Sequence, residues 1–503
     1  MNKEFFKAIE CGQTLPINNV HAVSVSMPTI QDVIDYEEQT PEILEKIKSG
    51  YPRFILHPYL KKLGNFIKEK YRVSDAYEVV VLSSSKAVEL VSDKYFIHNK
   101  IEINEPFGVI LVQKGTTQLK KVLTYIQHVG CNLSSRLAEE YLYKEGLITT
   151  LHKEEVESKD TAKDTIIQTL SHAYSQAKEN ICLAPSGMNA IYSIIRGLNS
   201  IQSHNGRNIL VQFGWLYLDT MNIVNHHYTQ QKVFSDITNL DLLEEYLKEN
   251  GFKISAIITE IPTNPLLTSV DIKRLRKLCD TYNIPLVIDT TFATPYNLDL
   301  RDYADIFVES LTKFACGNAD VLMGAIILNK KHNLSHMTTE FFRHCEPVYI
   351  RDIQRLAYEI KSYKTRVKKI SSNTKKLVSY LENCSYVDEV FYCFDKKNKE
   401  NYSQTIIDEN SYTGVVSVTF NKPLKEVYDK LNFAKGPSLG TEFTLLMPYT
   451  YLAHYDMIIS KEGNKFLEKI SLPIDLIRIS VGIEPIEEII KEFERINLFL
   501  SFN

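Results

Sequence analysis

The sequence predicts an α/β fold: a mostly parallel sheet flanked by helices, followed by a smaller α+β region. Short β-branched runs alternate with helical patterns between about 178 and 330, the order of elements that a parallel sheet covered on both faces produces. The runs at 207–213, 254–260, 285–291, 305–309 and 324–328 read as buried strands. Four polar residues, Tyr217, Asn264, Asp289 and Lys313, each fall just after one of these runs. Ligands of such sheets sit off the carboxyl ends of the strands, so the placement predicts a binding site together with the fold.

Taken in order, the chain reads as three blocks. The first, 1–177, opens with an extended segment at 21–28. From about 60 to 170 it mixes helical patterns with strands at 78–82 and 107–113, and its charge-rich stretch 153–164 reads as a mobile surface loop. The second block, 178–344, holds the sheet. Between its strands, residues 271–283 put Ile272, Leu275, Leu278 and Cys279 on one helical face. The third block, 345–503, starts with one long helical pattern over 351–383. It continues with strand-like pieces at 412–420 and 476–481 and ends in an acidic amphipathic helix at 484–500. No internal repeat or low-complexity tract interrupts the series.

Bulk properties exclude several classes of function. At 503 residues, with 44% hydrophobic and 24% charged side chains, the chain is long enough for two or three cores and ordinary enough to be globular. A net charge of −4 gives no basic footprint for nucleic acid. No apolar run approaches the roughly 20 residues of a spanning helix, so no membrane partner is expected. The N-terminus Met1-Asn2-Lys3-Glu4-Phe5-Phe6-Lys7 has no apolar signal core. The eight cysteines form no CxxC pair, which argues against zinc and for reduced thiols. A cytoplasmic protein is the expectation.

The chemistry is concentrated in Ser310-Leu311-Thr312-Lys313 and, upstream, Val287-Ile288-Asp289-Thr290-Thr291-Phe292. A lysine just past an apolar run can form a Schiff base with a carbonyl cofactor, and burial lowers its pKa so that it also carries protons. An aspartate at the end of the preceding run can keep a ring nitrogen protonated, which turns the ring into an electron sink. The pairing is the footprint of a pyridoxal 5'-phosphate site. Hydroxyls at Ser310 and Thr312 can bind a phosphate. Ser186-Gly187-Met188 opens a helical pattern and exposes backbone N–H groups to an anion, although the same residues also make a plain helix cap. Tyr217 can lie over a flat ring or be one of the chain's many core tyrosines. Arg478, embedded in Ile477-Arg478-Ile479, needs a carboxylate partner, either structural or the α-carboxylate of an amino acid.

Together these residues resemble the Cys/Met-metabolism pyridoxal-phosphate enzymes of the cystathionine γ-synthase type, most closely the fungal synthases. The motifs are Pro262-Thr263-Asn264-Pro265, Asp289-Thr290-Thr291-Phe292, Ser310-Leu311-Thr312-Lys313 and, more loosely, Ser438-Leu439-Gly440 and Arg478-Ile479-Ser480-Val481-Gly482. The resemblance implies a fold-type I transferase in which Lys313 is the Schiff-base lysine and Asp289 pairs with the ring nitrogen. It implies that Asn264 contacts the ring hydroxyl, Tyr217 stacks on the ring, and Gly187, Met188, Ser310 and Thr312 hold the phosphate, with Thr291 also at the cofactor. Arg478 takes the substrate carboxylate, with Ser438 nearby. Tyr51 and Arg53 look like the arm that reaches into a neighbouring subunit's cofactor site, so a dimer or dimer of dimers with shared sites is implied.

The chain also departs from the broad family pattern. Leu218-Asp219 replaces a usual Gly-Gly, Thr290 a usual Asn, and Asn318 a usual His, while Phe443 stands where a glutamate is common, with Glu442 one position off. About a hundred residues between Arg53 and Ser186 are extra. They read either as an elaboration packed on the fold or as a regulatory module. The implied reaction is γ-replacement of an O-acylated homoserine by cysteine, giving cystathionine. Cystathionine γ-lyase, acylhomoserine sulfhydrylase and a cofactor-binding subunit with little catalysis remain open alternatives.

Overall fold

The computed structural model describes residues 6–7, 9–50, 55–228, 230–331 and 333–501. The amino-terminal part forms a small hairpin, β1 (Thr14–Leu15) with β2 (Ser24–Val25), and a separate antiparallel sheet of β3 (Tyr77–Leu82), β4 (Lys100–Ile101) and β5 (Gly108–Gln113) in the order β3-β5-β4. Helices Pro58–Lys70, Ser85–Tyr95, Thr117–Val129 and Ser135–Lys144 surround that sheet. Their starts obey capping chemistry. Ser84, Thr116 and Ser134 each accept a bond from an otherwise unpaired backbone N–H of the first turn.

The central sheet contains β6 (Ile181–Ala184), β7 (Ile209–Phe213), β8 (Gln230–Phe234), β9 (Ile254–Glu260), β10 (Leu286–Asp289), β11 (Ile306–Ser310) and β12 (Gly324–Leu328), in the order β6-β12-β11-β10-β9-β7-β8. The pairs β7/β8, β7/β9, β9/β10 and β10/β11 are parallel, and only β12 runs against its neighbours. The predicted mostly parallel α/β sheet is therefore present. Strands β7, β9, β11 and β12 are buried on both faces because helices cover both, and two separate apolar clusters lie on either side of them. Sequence patterning missed β8, whose Gln-Gln-Lys edge is largely exposed and carries no apolar run.

A third sheet, β13 (Val387–Phe391), β14 (Val415–Phe420), β15 (Ala434–Lys435), β16 (Leu445–Pro448) and β17 (Ile477–Ser480), has the order β13-β14-β17-β16-β15. Two expectations need correction. The pattern over 351–383 is not one helix but two, Ile350–Glu359 and Tyr363–Leu381, joined by a 3₁₀ turn at Ile360–Ser362. Residues 153–164 are not a mobile loop. Glu154 is buried and forks onto Arg136 at 2.7 Å, and a helix runs over Lys159–Tyr174. Glu154 turns inward, while most of the other charges of the stretch stay at the surface.

That ion network fastens the extra segment to the sheet. Arg136, 1% exposed, also donates to Asp352 at 3.0 Å and to the carbonyl of Asp320 at 2.9 Å. Arg351 pairs with Glu139 at 3.0 Å, and Arg355 with Asp320 at 3.0 Å. Ser83 donates to Glu346, and Asn189 to the carbonyl of Val129. The segment packs on the fold as an integral layer. Removing one partner of such a buried cluster strands the others, so Arg136→Ala is expected to cost about 3–5 kcal/mol, readable as a lowered urea midpoint.

Candidate active site

The pocket lies at the carboxyl ends of the parallel strands. Asp289 is the last residue of β10, Lys313 follows β11 by three residues, and Tyr217 and Asn264 follow β7 and β9. Across from them, Ser438 precedes β16 and Arg478 lies in β17. Eleven of the residues expected at the site, Gly187, Met188, Tyr217, Asn264, Asp289, Thr291, Ser310, Thr312, Lys313, Ser438 and Arg478, line this one pocket. Tyr51 and Arg53 lie outside the described residues.

Lys313 lines the pocket half-buried, and its Nζ donates to Ser438 Oγ at 3.2 Å. Loss of solvation, assisted by the nearby Arg478 guanidinium, lowers its pKa to about 7. The amine is thus largely available as a nucleophile near neutral pH. Cofactor-free protein is expected to reload with pyridoxal phosphate faster as the pH rises through about 7, because the neutral amine becomes the dominant form there. Stopped-flow absorbance at the visible band would measure this, and a rate flat between pH 6 and 8 would contradict it.

Asp289 faces the pocket half-buried, and Thr291 bonds to it through both backbone and side chain, the backbone N–H at 2.8 Å. Burial pushes its carboxyl up, and the Thr291 bonds pull it down. A carboxyl held in this way is completed by a cation, and a protonated ring nitrogen is one. Thr291 Oγ1 in turn accepts the N–H of Ser310 at 2.9 Å, tying the Asp289 loop to the lysine loop. At the other end, Ser186 caps helix Gly187–Gln202 by accepting the Asn189 N–H. A side chain at Gly187 would stand 3.0 Å from the Ser310 Cβ, so the helix start and the Ser310 loop approach closely only with glycine. Free N–H groups of a helix start beside two hydroxyls suit a phosphate. Thr312 Oγ1 meanwhile accepts the Met323 N–H at 3.0 Å. An imine-forming amine, a ring-nitrogen acid and an anion cradle are all present, so the pocket fits pyridoxal phosphate.

Arg478 donates to Asn264 Oδ1 at 3.1 Å and to the carbonyl of Ser438 at 2.8 Å, and its guanidinium lies 5.4 Å from the centre of the Tyr449 ring. Ser438 takes φ +99, and Gly440 takes φ +75. A Cβ at Gly440 would fall 2.6 Å from the Phe314 backbone nitrogen, which is why the Ser438-Leu439-Gly440 turn can press against the lysine loop. Three of the departures now have physical accounts. Leu218 begins a helix, Leu218–His227, and lines the pocket. Asn318 donates to Glu359 at 2.8 Å. Glu442 bonds to Arg366 at 2.8 Å while Phe443 packs in a separate apolar cluster, so neither lines the pocket.

Sequence reasoning missed Glu260 and Tyr449. Glu260 ends β9 and is buried, and its carboxyl accepts the backbone N–H of Tyr217 at 2.6 Å. Burial and the adjacent Asp289 push it well above the ordinary carboxyl range. An acid at the end of an otherwise apolar strand was the available signal.

A family model for Cys/Met metabolism PLP-dependent enzymes matches residues 160–496. The chain is 34% identical to an L-2-amino-4-chloropent-4-enoate dechlorinase/desaturase from Streptantibioticus cattleyicolor, over 94% of this chain and 96% of that one. It is 27% identical to a cystathionine gamma-synthase from Neurospora crassa over 97% of both. A solved structure of cystathionine gamma synthase from Xanthomonas oryzae pv. oryzae, in complex with aminoacrylate and cysteine, matches with a TM-score of 0.58 at 18% identity. It covers 67% of this chain and 85% of that one, and shows the shared fold. The family match spans the strands and loops that build the pocket, and the chain belongs to the Cys/Met metabolism PLP-dependent enzymes, with pyridoxal 5'-phosphate as its cofactor.

Proposed function

We propose that the protein catalyses γ-replacement on an O-acylated homoserine, with cysteine as the thiol, giving cystathionine and the free carboxylic acid. The Cγ–O bond breaks and an S–Cγ bond forms. The observation that carries this reading is the Lys313–Ser438–Arg478 arrangement. One short turn supplies the hydroxyl that holds the lysine amine and the carbonyl that orients the guanidinium. A base and a carboxylate anchor are thereby set at fixed separation on one side of the pocket.

Pyridoxal phosphate, when bound, supplies the carbonyl that captures the substrate amine and a ring that spreads negative charge from Cα. Lys313 Nζ takes the Cα proton and carries a proton to or from Cβ. Ser438 Oγ keeps that amine aimed. Asp289 holds the proton at the ring nitrogen. Arg478 binds the α-carboxylate, and Asn264, bonded to it, limits its rotation. Tyr217 covers the ring, its backbone N–H fixed by Glu260. Leu452, Tyr449 and Leu218 line the same pocket and exclude water from the reacting carbons. Arg478→Ala is expected to raise KM for the amino acid by roughly 10–100-fold, since a charge-assisted bond is worth about 1.5–3 kcal/mol. An unchanged KM would remove Arg478 from the carboxylate site.

A second reading is γ-elimination without a thiol, favoured by the identity to the dechlorinase/desaturase along nearly the whole chain. Both readings expel a group from Cγ. Mass spectrometry of products separates them. The holoenzyme would receive O-acetyl-, O-succinyl- or O-phosphohomoserine with and without cysteine, and, in parallel, 2-amino-4-chloropent-4-enoate alone. Cysteine-dependent cystathionine supports the synthase and identifies the acyl group. Chloride release without thiol supports elimination. Homocysteine formed only with sulfide, or breakdown of added cystathionine, moves the assignment to sulfhydrylase or lyase, and no product from any substrate leaves a cofactor-binding subunit.

A further inference from the structure

Behind Asp289, on the reverse face of the sheet, lies a buried polar chain that the reaction as described does not use. Glu309, 1% exposed, is the fourth residue of β11. Its carboxyl meets the Tyr174 hydroxyl at 2.5 Å and the Tyr363 hydroxyl at 2.6 Å. Tyr174 ends the helix Lys159–Tyr174, and Tyr363 begins the helix Tyr363–Leu381. The Tyr174 hydroxyl also meets Thr290 Oγ1 at 2.7 Å, and Thr290 Oγ1 lies 3.2 Å from the Val308 carbonyl. Thr290 directly follows Asp289, and its backbone N–H donates to Val308, the register partner of Asp289. Alternation along a strand sends Asp289 to the pocket face and Thr290 to the other. One set of bonds therefore joins two helices to the backbone that carries the Asp289 carboxylate.

Tyr363 and Tyr174 each donate a hydroxyl proton to the Glu309 carboxyl, one to each oxygen. Thr290 Oγ1 can then donate to the Tyr174 oxygen, and the Val308 carbonyl is served by the Thr290 backbone N–H, so every member of the chain has a partner. The groups facing Glu309 are Tyr174, Tyr296, Tyr363 and, through the sheet, Asp289; none is a cation. Burial raises its carboxyl to about 7, against the lowering effect of the two tyrosine bonds.

We infer that Glu309 is a positioning residue for Asp289, acting through Tyr174 and Thr290 to hold the end of β10 in register. The inference rests on Asp289 as the ring-nitrogen partner. The test is the pH titration of the visible cofactor band of the holoenzyme, with thermal midpoints recorded in parallel. E309A is expected to move the titration midpoint by about one pH unit or more. T290V, which removes the link to Tyr174 without touching Glu309, shifts it in the same direction by less. E309Q, whose amide can donate to Tyr174 and accept from Tyr363, keeps the parent midpoint within a few tenths. E309A and T290V at the parent midpoint, with D289N shifted, would overturn the inference even if both lower the thermal midpoint, because Glu309 would then be merely structural. A band unmoved in D289N would overturn the reading of Asp289 itself, and this inference with it. Should E309A fail to fold, T290V decides.

Discussion

Lys313→Ala is expected to abolish turnover, lowering kcat by more than about 10⁴-fold, because in the proposed reaction one side chain serves as imine partner and as proton carrier at two carbons. The structure gives the size of this effect a physical basis. The amine is shielded within the pocket, aimed by Ser438 and poised near pH 7, and among the described residues lining the pocket it is the one lysine. Arg478 cannot substitute, since a guanidinium does not release its proton in this range. Steady-state product formation measures the effect, and a spectrum recorded after borohydride reduction should show the cofactor covalently attached in the parent and free in the variant. Near-normal turnover in a folded Lys313→Ala protein would sink the assignment of this pocket.

Asp289→Ala should cost about 10²–10³-fold in kcat, the range seen when one preorganised electrostatic partner of developing charge is removed. The carboxylate is held by Thr291 at the end of β10 and has Glu260 as its register neighbour on β9. Two acids side by side resist carrying two charges. Loss of solvation raises both carboxyls, but the bonds from Thr291 pull Asp289 back towards its charged form, whereas Asp289 itself pushes Glu260 further towards its neutral form. Removing Asp289 lets the ring lose its proton while leaving Lys313 and Arg478 in place. The expected pattern is retained cofactor, a shifted band and a lowered kcat. Loss of cofactor with kcat per bound cofactor unchanged would assign Asp289 to retention alone.

Much of the pocket was legible in one dimension because its chemistry sits on short loops next to strong strand patterns. The runs at 207–213, 254–260, 285–291 and 305–309 are apolar enough to be read as buried strands, and a parallel sheet delivers whatever follows its strands to one edge. The weaker elements were less legible for equally physical reasons. The edge strand β8 has few apolar residues to bury. The break between Glu359 and Tyr363 keeps helical spacing across a 3₁₀ turn, so periodicity does not register it. In the stretch 153–164 the sequence shows the charges but not that one of them, Glu154, turns inward onto Arg136.

By itself, then, the sequence determined the α/β class, the cofactor and residues that line one pocket, since local patterning and motif spacing suffice for groups placed by neighbouring strands. The tertiary structure alone decided three things. It brought Ser438 and Arg478 to Lys313 across more than a hundred residues of chain. It turned Glu442 away to Arg366. It joined Glu309, Tyr174 and Tyr363 behind Asp289. Each depends on contacts between residues far apart in sequence, where the pairing of a buried charge is settled by which helix packs on which face of the sheet and not by its neighbours in the chain.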